Sequence, residues 1–460
     1  MSGHPDMNER EISLSEMLDS REQRALMQKK LIAEFKKPLL CFTMNIAGPI
    51  KSSELIRHGF RYGDKCIVDT FKSENIEIVY RELFYKDTGC EGYYILNGNA
   101  LSIKKLCCDI ENTSKLGRLY DMDVIKEDGS KVSRSELSLP PRKCFICGMD
   151  AAACARSRSH SLDDIRSYTQ KVLIEAVNDF DSEYISGLSA RALLYEVCTT
   201  PKPGLVDRAN CGSHKDMDMY TFIDSTLSLL PYFRSCFLCG RNTSSCKASE
   251  TFSAVRRLGK KAELGMFAAT NGVNTHKGAI FSMGILCAAL GRLPYESWKK
   301  PEIILSACAD MTKGLVEKDF KKLEAGSAVT AGQKLYLKYG ITGIRGQIEA
   351  GLPAVLRSGL PTLKKGISKG LGLERSGCAA LLSIMTDAID TNIIARSSIS
   401  IYNEVICLVK STLEESEFPS TEQLKKLDDF FIQKNLSPGG SADLLAVTYL
   451  LFFLENGEFY

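Results

Sequence analysis

The sequence has little of what a secreted, membrane-spanning or nucleic-acid-binding protein needs. Its 59 basic and 56 acidic residues give a formal net charge of only +3, which indicates no nucleic-acid-binding surface. No apolar segment follows the N-terminal MSGHPDMNEREIS, so no signal peptide is predicted. The longest apolar runs, such as 444–454, are shorter than the ~18 residues that span a bilayer. We therefore expect a soluble cytoplasmic protein that binds neither membrane nor nucleic acid.

Histidine is scarce, with five residues, whereas cysteine is plentiful, with 17. In a reducing compartment these cysteines indicate free thiols or metal ligands, and not a disulfide framework. Cys144, Cys147, Cys154 and His160 offer four zinc ligands in order, and the first spacing suits a metal-binding knuckle. Small buried cysteines are the alternative there. The cysteine spacing recurs at 236–246, where an apolar helical pattern and the lack of a nearby histidine favour core packing.

Residues 1–165 are predicted to form a mixed α/β domain. A capping box at Ser13 and Glu16 begins a helix that ends before Pro38. Alternating apolar residues and β-rich composition then predict strands, interrupted by helices from about Ser53 and over 100–111. The predicted strands lie near 40–46, 76–85, 92–96 and 119–125.

Residues 166–460 are predicted to form an all-α domain. From about Ser161 onward, apolar residues recur at intervals of three and four, and strand alternation is absent. The boundary is expected near 160–183, and 460 residues suffice for two or three domains with their own cores. Helices are predicted over 162–178, 186–198, 217–235, 251–269, 277–290, 302–317, 374–388, 399–412, 421–433 and 441–454.

The most informative stretch of the first domain is Gly117–Val124, which contains Asp121 and Asp123. Residues two apart on a strand point the same way, so the two carboxylates share a face while Met122 points toward a core. Paired carboxylates suit a magnesium ion that bridges the phosphates of a nucleotide. A solvated strand edge is the alternative reading of this pattern.

The second domain carries a long polar loop between helical patterns, from Glu196 to Asp218. Two prolines and two glycines break any helix through its middle, and both signs of charge are dense. Loops of this kind are more often sites than connectors. A solvated loop with helix caps is the alternative.

The first half resembles the apo-citrate lyase phosphoribosyl-dephospho-coenzyme A transferases. The matching stretches are Phe42–Pro49, Leu116–Val124, Arg142–Cys147 and Cys154–His160. The resemblance implies a nucleotidyltransferase-like fold in which a serine of the citrate lyase acyl-carrier (gamma) subunit attacks the phosphate nearest the ribose, and pyrophosphate leaves. Asp121 and Asp123 would then be the catalytic and metal-binding pair. Candidates to grip the triphosphate are Arg142, Lys143, Arg156 and Arg158.

The second half resembles the triphosphoribosyl-dephospho-coenzyme A synthases. Three stretches carry this resemblance in order: Glu196–Asp218, Gly272–Phe281 and Ser437–Ala446. The implied reaction joins ATP to 3′-dephospho-coenzyme A and expels adenine, with the 2′-hydroxyl of one ribose attacking C1 of the other. Such chemistry needs a proton acceptor, negative charge near an oxocarbenium-like centre, and cations or magnesium on the triphosphate.

Each of these needs has candidates in the second half. For acid–base catalysis they are His214, Asp216 and Asp218, and for magnesium they are Glu196, Asp387, Asp390 and Asn392. Two glycine-rich stretches precede helices, whose free N-terminal amides bind phosphate. The candidate substrate-binding residues are Lys202, Asp207, Lys215, Asn274, His276, Lys277, Arg345, Gly439 and Gly440. Asp207 is also a candidate metal ligand.

Two positions depart from the pattern of the synthases. Gln347 stands where a glutamate is usual, and Ala395 stands where a histidine is expected; a neutral amide is neither a base nor a charged ligand. We interpret the chain as a bifunctional fusion that makes and attaches the citrate lyase prosthetic group. Two alternatives stay open: service of the malonate decarboxylase carrier protein, or a zinc-containing interaction protein with a decayed transferase half.

Overall fold

The computed structural model describes residues 10–320 and 330–457, which divide into two compact units between Phe180 and Asp181. A single 37-residue helix, α5, contains this boundary, and the sequence-based boundary at 165/166 also lies within it. The first unit holds α1 to α4, β1 to β4 and the start of α5. Their bounds are α1 Leu14–Phe35, β1 Leu39–Met44, α2 Glu54–Ser73, β2 Glu77–Lys86, β3 Gly89–Asn97, α3 Ala100–Thr113, β4 Tyr120–Ile125, α4 Ala151–Ser157 and α5 Leu162–Cys198.

The first unit is a four-stranded antiparallel sheet in the order β2-β3-β1-β4, covered by helices on both faces. The central strand β1 reads Leu-Leu-Cys-Phe because both of its faces are buried. Phe42 stacks on Phe60 of α2 on one face, where Leu173 of α5 also packs, and Cys41 packs with Leu31 of α1 on the other. The predicted capping box at the start of α1 is confirmed.

The second unit is entirely helical over its described residues. The helices that follow α5 are α6 Met219–Asn242, α7 Ala248–Ala269, α8 Lys277–Arg292, α9 Pro301–Thr312, α10 Leu315–Phe320, α11 Ala331–Tyr339, α12 Gly343–Glu349, α13 Leu360–Ser368, α14 Gly372–Asp387, α15 Thr391–Arg396, α16 Ile399–Glu415, α17 Thr421–Gln433 and α18 Gly439–Asn456. Its core is built around α8, α14 and α18, which are buried almost all round. Across residues 10–320 and 330–457, no helix combines the length and apolarity needed to cross a bilayer.

The helix predictions differ from the structure in three places. The two helices predicted over 162–178 and 186–198 form one helix, since no proline or positive-φ glycine interrupts them. The helix predicted over 302–317 is divided at Gly314, whose φ of +75° is left-handed. The short helices α4, α11 to α13 and α15 were missed because their apolar pattern is too brief to show a period.

Candidate functional site

In the first unit, Asp121 and Asp123 project from one face of the edge strand β4. Met122 between them is fully buried, while Asp121 is exposed and Asp123 is partly exposed. Asp121 lies opposite Thr43 of β1, and Thr43 lies opposite Glu91 of β3. The same face of the sheet therefore also carries Glu91, which the sequence reasoning did not identify.

Glu91 is the buried member of this row. Its carboxylate accepts hydrogen bonds from Arg24 Nε at 3.0 Å, Lys86 Nζ at 2.8 Å and the Tyr93 hydroxyl at 2.8 Å. Burial raises the pKa of Glu91, but the bond from Lys86 and the charge of Arg24 outweigh burial and lower it below its ordinary value. Glu91 is thus a fixed, fully paired anion at the base of the acidic face.

Arg142 is brought beside Asp121 by contacts with the strand and with α3. Its guanidinium donates to Tyr120 O at 2.6 Å and forms an ion pair with Glu111 Oε1 at 2.9 Å. Glu111 also accepts from the backbone N–H of Met122 at 3.1 Å, so it anchors the outer edge of β4. Arg142 Nη1 consequently lies 3.9 Å from Asp121 Oδ1. Glu111 was missed, although a single acid on an apolar helix face is a usable signal.

The other basic side chains predicted to bind phosphate in this unit do not form ion pairs with Asp121 or Asp123 among the described residues. Lys131, which the sequence reasoning missed, forms the ion pair with Asp123 at 2.6 Å. The backbone carbonyl of Lys143 accepts a hydrogen bond from the Arg118 guanidinium. Arg156 and Arg158 lie exposed at the end of the short helix α4.

The four predicted zinc ligands converge. The ligand atoms of Cys144, Cys147, Cys154 and His160 all lie within 4.8 Å of one another. Within the described residues this is the only group of three or more acidic, cysteine or histidine side chains that meets that distance. The carboxylates predicted for magnesium in the second unit therefore do not share one coordination sphere.

In the second unit, two buried carboxylates hold the predicted loop in place. Asp207 accepts from the backbone N–H groups of Lys202 at 2.8 Å and Ala209 at 2.7 Å. Asp428 of α17 accepts from Gly204 N at 2.8 Å and from the Asn210 side chain at 2.8 Å. Asp207 is therefore used to shape the loop in this structure, since its oxygens are committed to backbone amides.

A buried ion pair lies under this loop. Lys202, 1% exposed, donates its ammonium to the carboxylate of Glu196 and to the Glu196 carbonyl at 2.7 Å. Burial raises the pKa of Glu196, although the charge of Lys202 opposes that change. The ammonium of Lys202 therefore lies where solvent does not reach it, beside the carboxylate of Glu196.

Asp390 joins the N-termini of α15 and α18. Its Oδ1 accepts from Asn392 N at 2.9 Å, and its Oδ2 accepts from Ser441 N at 2.7 Å and Ser441 Oγ at 2.9 Å. Burial raises the pKa of Asp390, and the bonds from Ser441 oppose that rise. Gly440 allows the approach, because a Cβ there would lie 3.2 Å from Asp390 Oδ2.

Asp443 is the acidic residue that the sequence reasoning missed in this unit. It faces Gly278 so closely that any Cβ at that position would collide with its carboxylate. Burial, together with repulsion from Glu196 and Asp390, raises the pKa of Asp443 well above its ordinary value, and a bond from Ala279 N–H opposes this. The usable signal was an acid one turn into the apolar helix α18, inside a motif already recognised.

His276 lies at the start of α8 and is 3% exposed. Its Nδ1 is 2.7 Å from Ser225 Oγ, and its Nε2 has no hydrogen-bond partner among the described residues. Burial lowers the pKa of His276 to about 3, with the nearby charge of Lys202 as a second cause. The ring is therefore neutral at physiological pH.

His214 connects the loop to the segment before α18. Its Nε2 lies 2.9 Å from Ser437 Oγ, its Nδ1 lies 3.3 Å from Arg396 and 3.8 Å from Asp216 Oδ1. Burial and the charge of Arg396 lower the pKa of His214, although Asp216 raises it. Asp218, by contrast, caps α6 through Thr221 N at 2.9 Å.

The structure gives most of the remaining predicted residues other partners. Arg345 binds Asp319 at 3.0 Å, Lys277 pairs with Glu263 at 3.0 Å, and Asp387 accepts from Ser358 at 2.8 Å. The side chains of Lys215, Asn274 and Asn392 are exposed and have no such partner among the described residues, and Asn392 lies beside Gly439. At the two departures, Gln347 Oε1 accepts from Ala354 N at 3.4 Å, and Ala395 is exposed.

A cleft of about 510 Å³ is lined by part of the loop and by residues of α14 and α17. Its lining includes Pro201, Asn210, Glu374 and Asp428, and none of Glu196, Lys202, His276, Asp390 or Asp443. We take the convergence of the loop with the N-termini of α8, α15 and α18 as the candidate site, because the buried ionisable groups lie there.

Comparison with known protein families assigns each half. Residues 12–176 match the model of the apo-citrate lyase phosphoribosyl-dephospho-CoA transferases, and residues 182–459 match that of the ATP:dephospho-CoA triphosphoribosyl transferases. The chain is therefore a bifunctional transferase.

Two similar proteins align with both halves of the chain, and a third aligns with about two thirds of it. Protein CitXG of Haemophilus influenzae is 36% identical over 96% of this chain and 96% of its own length. Protein CitXG of Leuconostoc mesenteroides subsp. cremoris is 34% identical over 96% and 97%. A 2-(5''-triphosphoribosyl)-3'-dephosphocoenzyme-A synthase of Haemophilus ducreyi is 38% identical over 67% of this chain and 99% of its own. The chain belongs to the family of CitXG fusion proteins, which serves the synthesis and attachment of the citrate lyase prosthetic group.

Proposed function

We propose that the helical unit joins ATP to 3′-dephospho-coenzyme A with release of adenine, giving the triphosphoribosyl derivative. The first unit then transfers this product to a serine of the citrate lyase acyl-carrier (gamma) subunit with release of diphosphate. The observation that carries the proposal is the pairing of both family matches with two separate acidic constellations, one in each unit. We further propose that both reactions take place in the cytoplasm. Neither family description names malonate decarboxylase, so that alternative is not favoured.

In the helical unit, binding of phosphate is assigned to helix N-termini and buried cations. The start of α8 follows Asn274 and His276, and the start of α18 includes Gly439 and Gly440. Free amides at helix N-termini attract phosphate, and a glycine lets the backbone approach it. Lys202 adds a positive charge that solvent does not screen.

For proton abstraction from the attacking 2′-hydroxyl, Asp443 is the carboxylate we favour. Its raised pKa makes it a stronger proton acceptor than an ordinary aspartate. Glu196 and Asp390 add negative charge in the same place, which suits an oxocarbenium-like centre. His214 and Asp216 lie at the outer side of the loop, where they serve as binding groups for the second substrate.

Magnesium suits the acidic pair of the first unit, because carboxylate oxygens are its preferred protein ligands. Asp121 and Asp123 would hold it there, and the ion would neutralise charge on the triphosphate. In the described part of the second unit Glu196, Asp390 and Asp443 do not converge on one coordination sphere, so no ion held by all three is assigned. Burial, followed by repulsion from Glu196 and Asp390, raises the pKa of Asp443, and a cation near these residues would relieve that repulsion.

For the first unit we propose a nucleotidyltransferase-like arrangement. The paired acids stand at the edge of the sheet, where a phosphate chain has access to them, and Arg142 lies on the same edge. Arg142 is already oriented by Tyr120 and Glu111, so its guanidinium is a preorganised grip for the departing diphosphate.

The test uses the purified full-length chain. With ATP, magnesium and dephospho-coenzyme A, adenine should appear in proportion to the new coenzyme product. Addition of the apo acyl-carrier subunit should consume that product and raise the carrier mass by one prosthetic group. Adenine release without loading would limit the function to the second unit, and absence of both activities would favour the decayed scaffold.

A further inference from the structure

The segment that follows β4 has almost no hydrophobic core. Between Ser133 and His160, Cys154 is the only buried side chain. A folded segment of this length needs a source of stability other than apolar burial, and small folds commonly obtain it from a metal or from disulfides.

The distances between the sulfur atoms distinguish these two sources. Cys147 Sγ lies 3.8 Å from Cys154 Sγ. Two sulfurs each ~2.3 Å from a tetrahedral zinc ion are ~3.8 Å apart, whereas a disulfide bond is ~2.0 Å long. All four ligand atoms lie within 4.8 Å of one another, which is compatible with one shared coordination sphere.

The backbone forms the turn that such a site needs. Cys144 N donates to Met149 O at 2.6 Å, and Gly148 N donates to Cys144 O at 2.9 Å. Gly148 has a φ of +74°, which lets the chain reverse directly after Cys147. Asp150 then caps α4 through Ala153 N at 2.7 Å, and this helix presents Cys154 to the other two thiols.

His160 supplies an independent observation. Its Nε2 is buried, and no described residue forms a hydrogen bond with it. Buried polar atoms are nearly always paired, so an unpaired imidazole nitrogen beside three thiols indicates a missing partner. A metal ion accounts for it, because imidazole and thiolate are the ligands that zinc prefers.

We propose that Cys144, Cys147, Cys154 and His160 bind one zinc ion. Four protein ligands leave no open position, so the site is structural and takes no part in the transfer chemistry. The ion holds the segment that begins at Arg142, two residues before the first ligand. It thereby keeps the Arg142 guanidinium against Tyr120 and near Asp121.

Metal content of the full-length protein tests this directly. After expression with added zinc and extensive dialysis, elemental analysis should find about one zinc per chain. Cys147→Ser should lower that content about fivefold or more, since three ligands hold zinc weakly. Cys407→Ser is the matched control, because Cys407 is also exposed but lies on α16, away from the cluster. It should keep the full equivalent.

Cobalt provides a readout that does not depend on enzyme activity. Cobalt added to metal-free protein should give the strong visible absorption of a tetrahedral thiolate site, and zinc should abolish it. Chelation should also expose residues 133–160 to proteolysis. A folded, zinc-free wild-type protein, full zinc in Cys147→Ser, or a Cys147–Cys154 disulfide in protein purified under reducing conditions would each overturn the proposal. Zinc content does not depend on the proposed reactions.

Discussion

Replacing Asp390 with asparagine separates a structural role from a role as metal ligand. In the folded protein one oxygen caps α15 at Asn392 N, and the other accepts twice from Ser441. Asparagine caps a helix as well as aspartate does, so the first contact survives. The amide nitrogen cannot accept from Ser441, however, and the buried Ser441 N–H is left unpaired.

The magnitude follows from these contacts. A hydrogen bond to a charged acceptor contributes ~1.5–3 kcal/mol, and the bond from the Ser441 N–H is lost. The bond from Ser441 Oγ becomes a weaker neutral one, because the hydroxyl can turn to accept from the amide. Part of this loss is offset because burial disfavours the Asp390 carboxylate, as its raised pKa indicates. We expect Asp390→Asn to lower the free energy of unfolding of the helical unit by ~2–4 kcal/mol. At a slope of ~3 kcal/mol per molar urea, the midpoint falls by ~1 M.

Tryptophan fluorescence measures this unit alone. Trp298 is the single tryptophan of the sequence, and it is buried in the helical unit with its indole N–H donating to Leu290 O at 3.0 Å. Asp387→Asn is the control, since Asp387 is exposed and, among the described residues, its side chain accepts only from Ser358. The urea midpoint of this variant should move by less than ~0.3 M. An unchanged midpoint for Asp390→Asn, together with lost adenine release, would refute the structural reasoning.

Three further predictions concern other ionisable groups. The pKa of His276 is about 3 in the folded state and ~6.5 when unfolded. As the pH falls, His276 is protonated first in the unfolded state, so the free energy of unfolding falls by up to ~1.4 kcal/mol per pH unit below pH 6.5. In urea titrations at a series of pH values, His276→Asn should make this decline less steep than in wild type. Asp121→Asn or Asp123→Asn should lower carrier loading ~100-fold and leave adenine release intact, whereas Met122→Leu, on the opposite face, should change neither. Parallel loss of both activities would contradict two independent sites. Asp443→Asn should leave the urea midpoint unchanged or higher but lower adenine release ~100-fold, and normal release would exclude Asp443 as the base.

The local features of the first unit were predictable because they depend on neighbours in sequence. Alternation along 119–125 predicted β4 with Asp121 and Asp123 on one face, and the structure has that strand and that face. The capping box of α1 was equally local. The position of Arg142 was not predictable, because it depends on a contact with Glu111, which lies on a different element.

The cysteine clusters show why spacing in the sequence is not enough to predict a metal site. The spacing of Cys144, Cys147 and Cys154 recurs at 236–246, yet only the first group converges within the described residues. Cys236 and Cys239 lie on the helix α6, where Cys236 is buried in the core. Spacing therefore predicts a site only where the intervening backbone turns, as it does at Gly148.

In the helical unit the motifs were visible in the sequence, but the contacts of the residues within them depend on tertiary packing. Asp390 reaches Ser441 across 51 residues, and Asp443 reaches the start of α8 because Gly278 leaves room for it. Nothing in the spacing of Asp387 and Asp390 shows that one is exposed and the other is buried. That difference arises only when α15 and α18 pack with their N-termini together.

The grouping of Glu196, Asp390 and Asp443 is itself an argument for function. Burial raises the pKa of each, and Lys202 pairs with only one of them. Well-packed apolar residues in place of a buried charge cluster are often neutral or stabilising, so stability alone does not explain two buried acids beside the half-buried Asp443. Each acid lies near the N-terminus of a helix or beside the loop, where phosphate and a positively charged transition state are expected to bind. Under the proposed function, a local loss of stability at these acids is offset by electrostatic stabilisation of the transferred ribose.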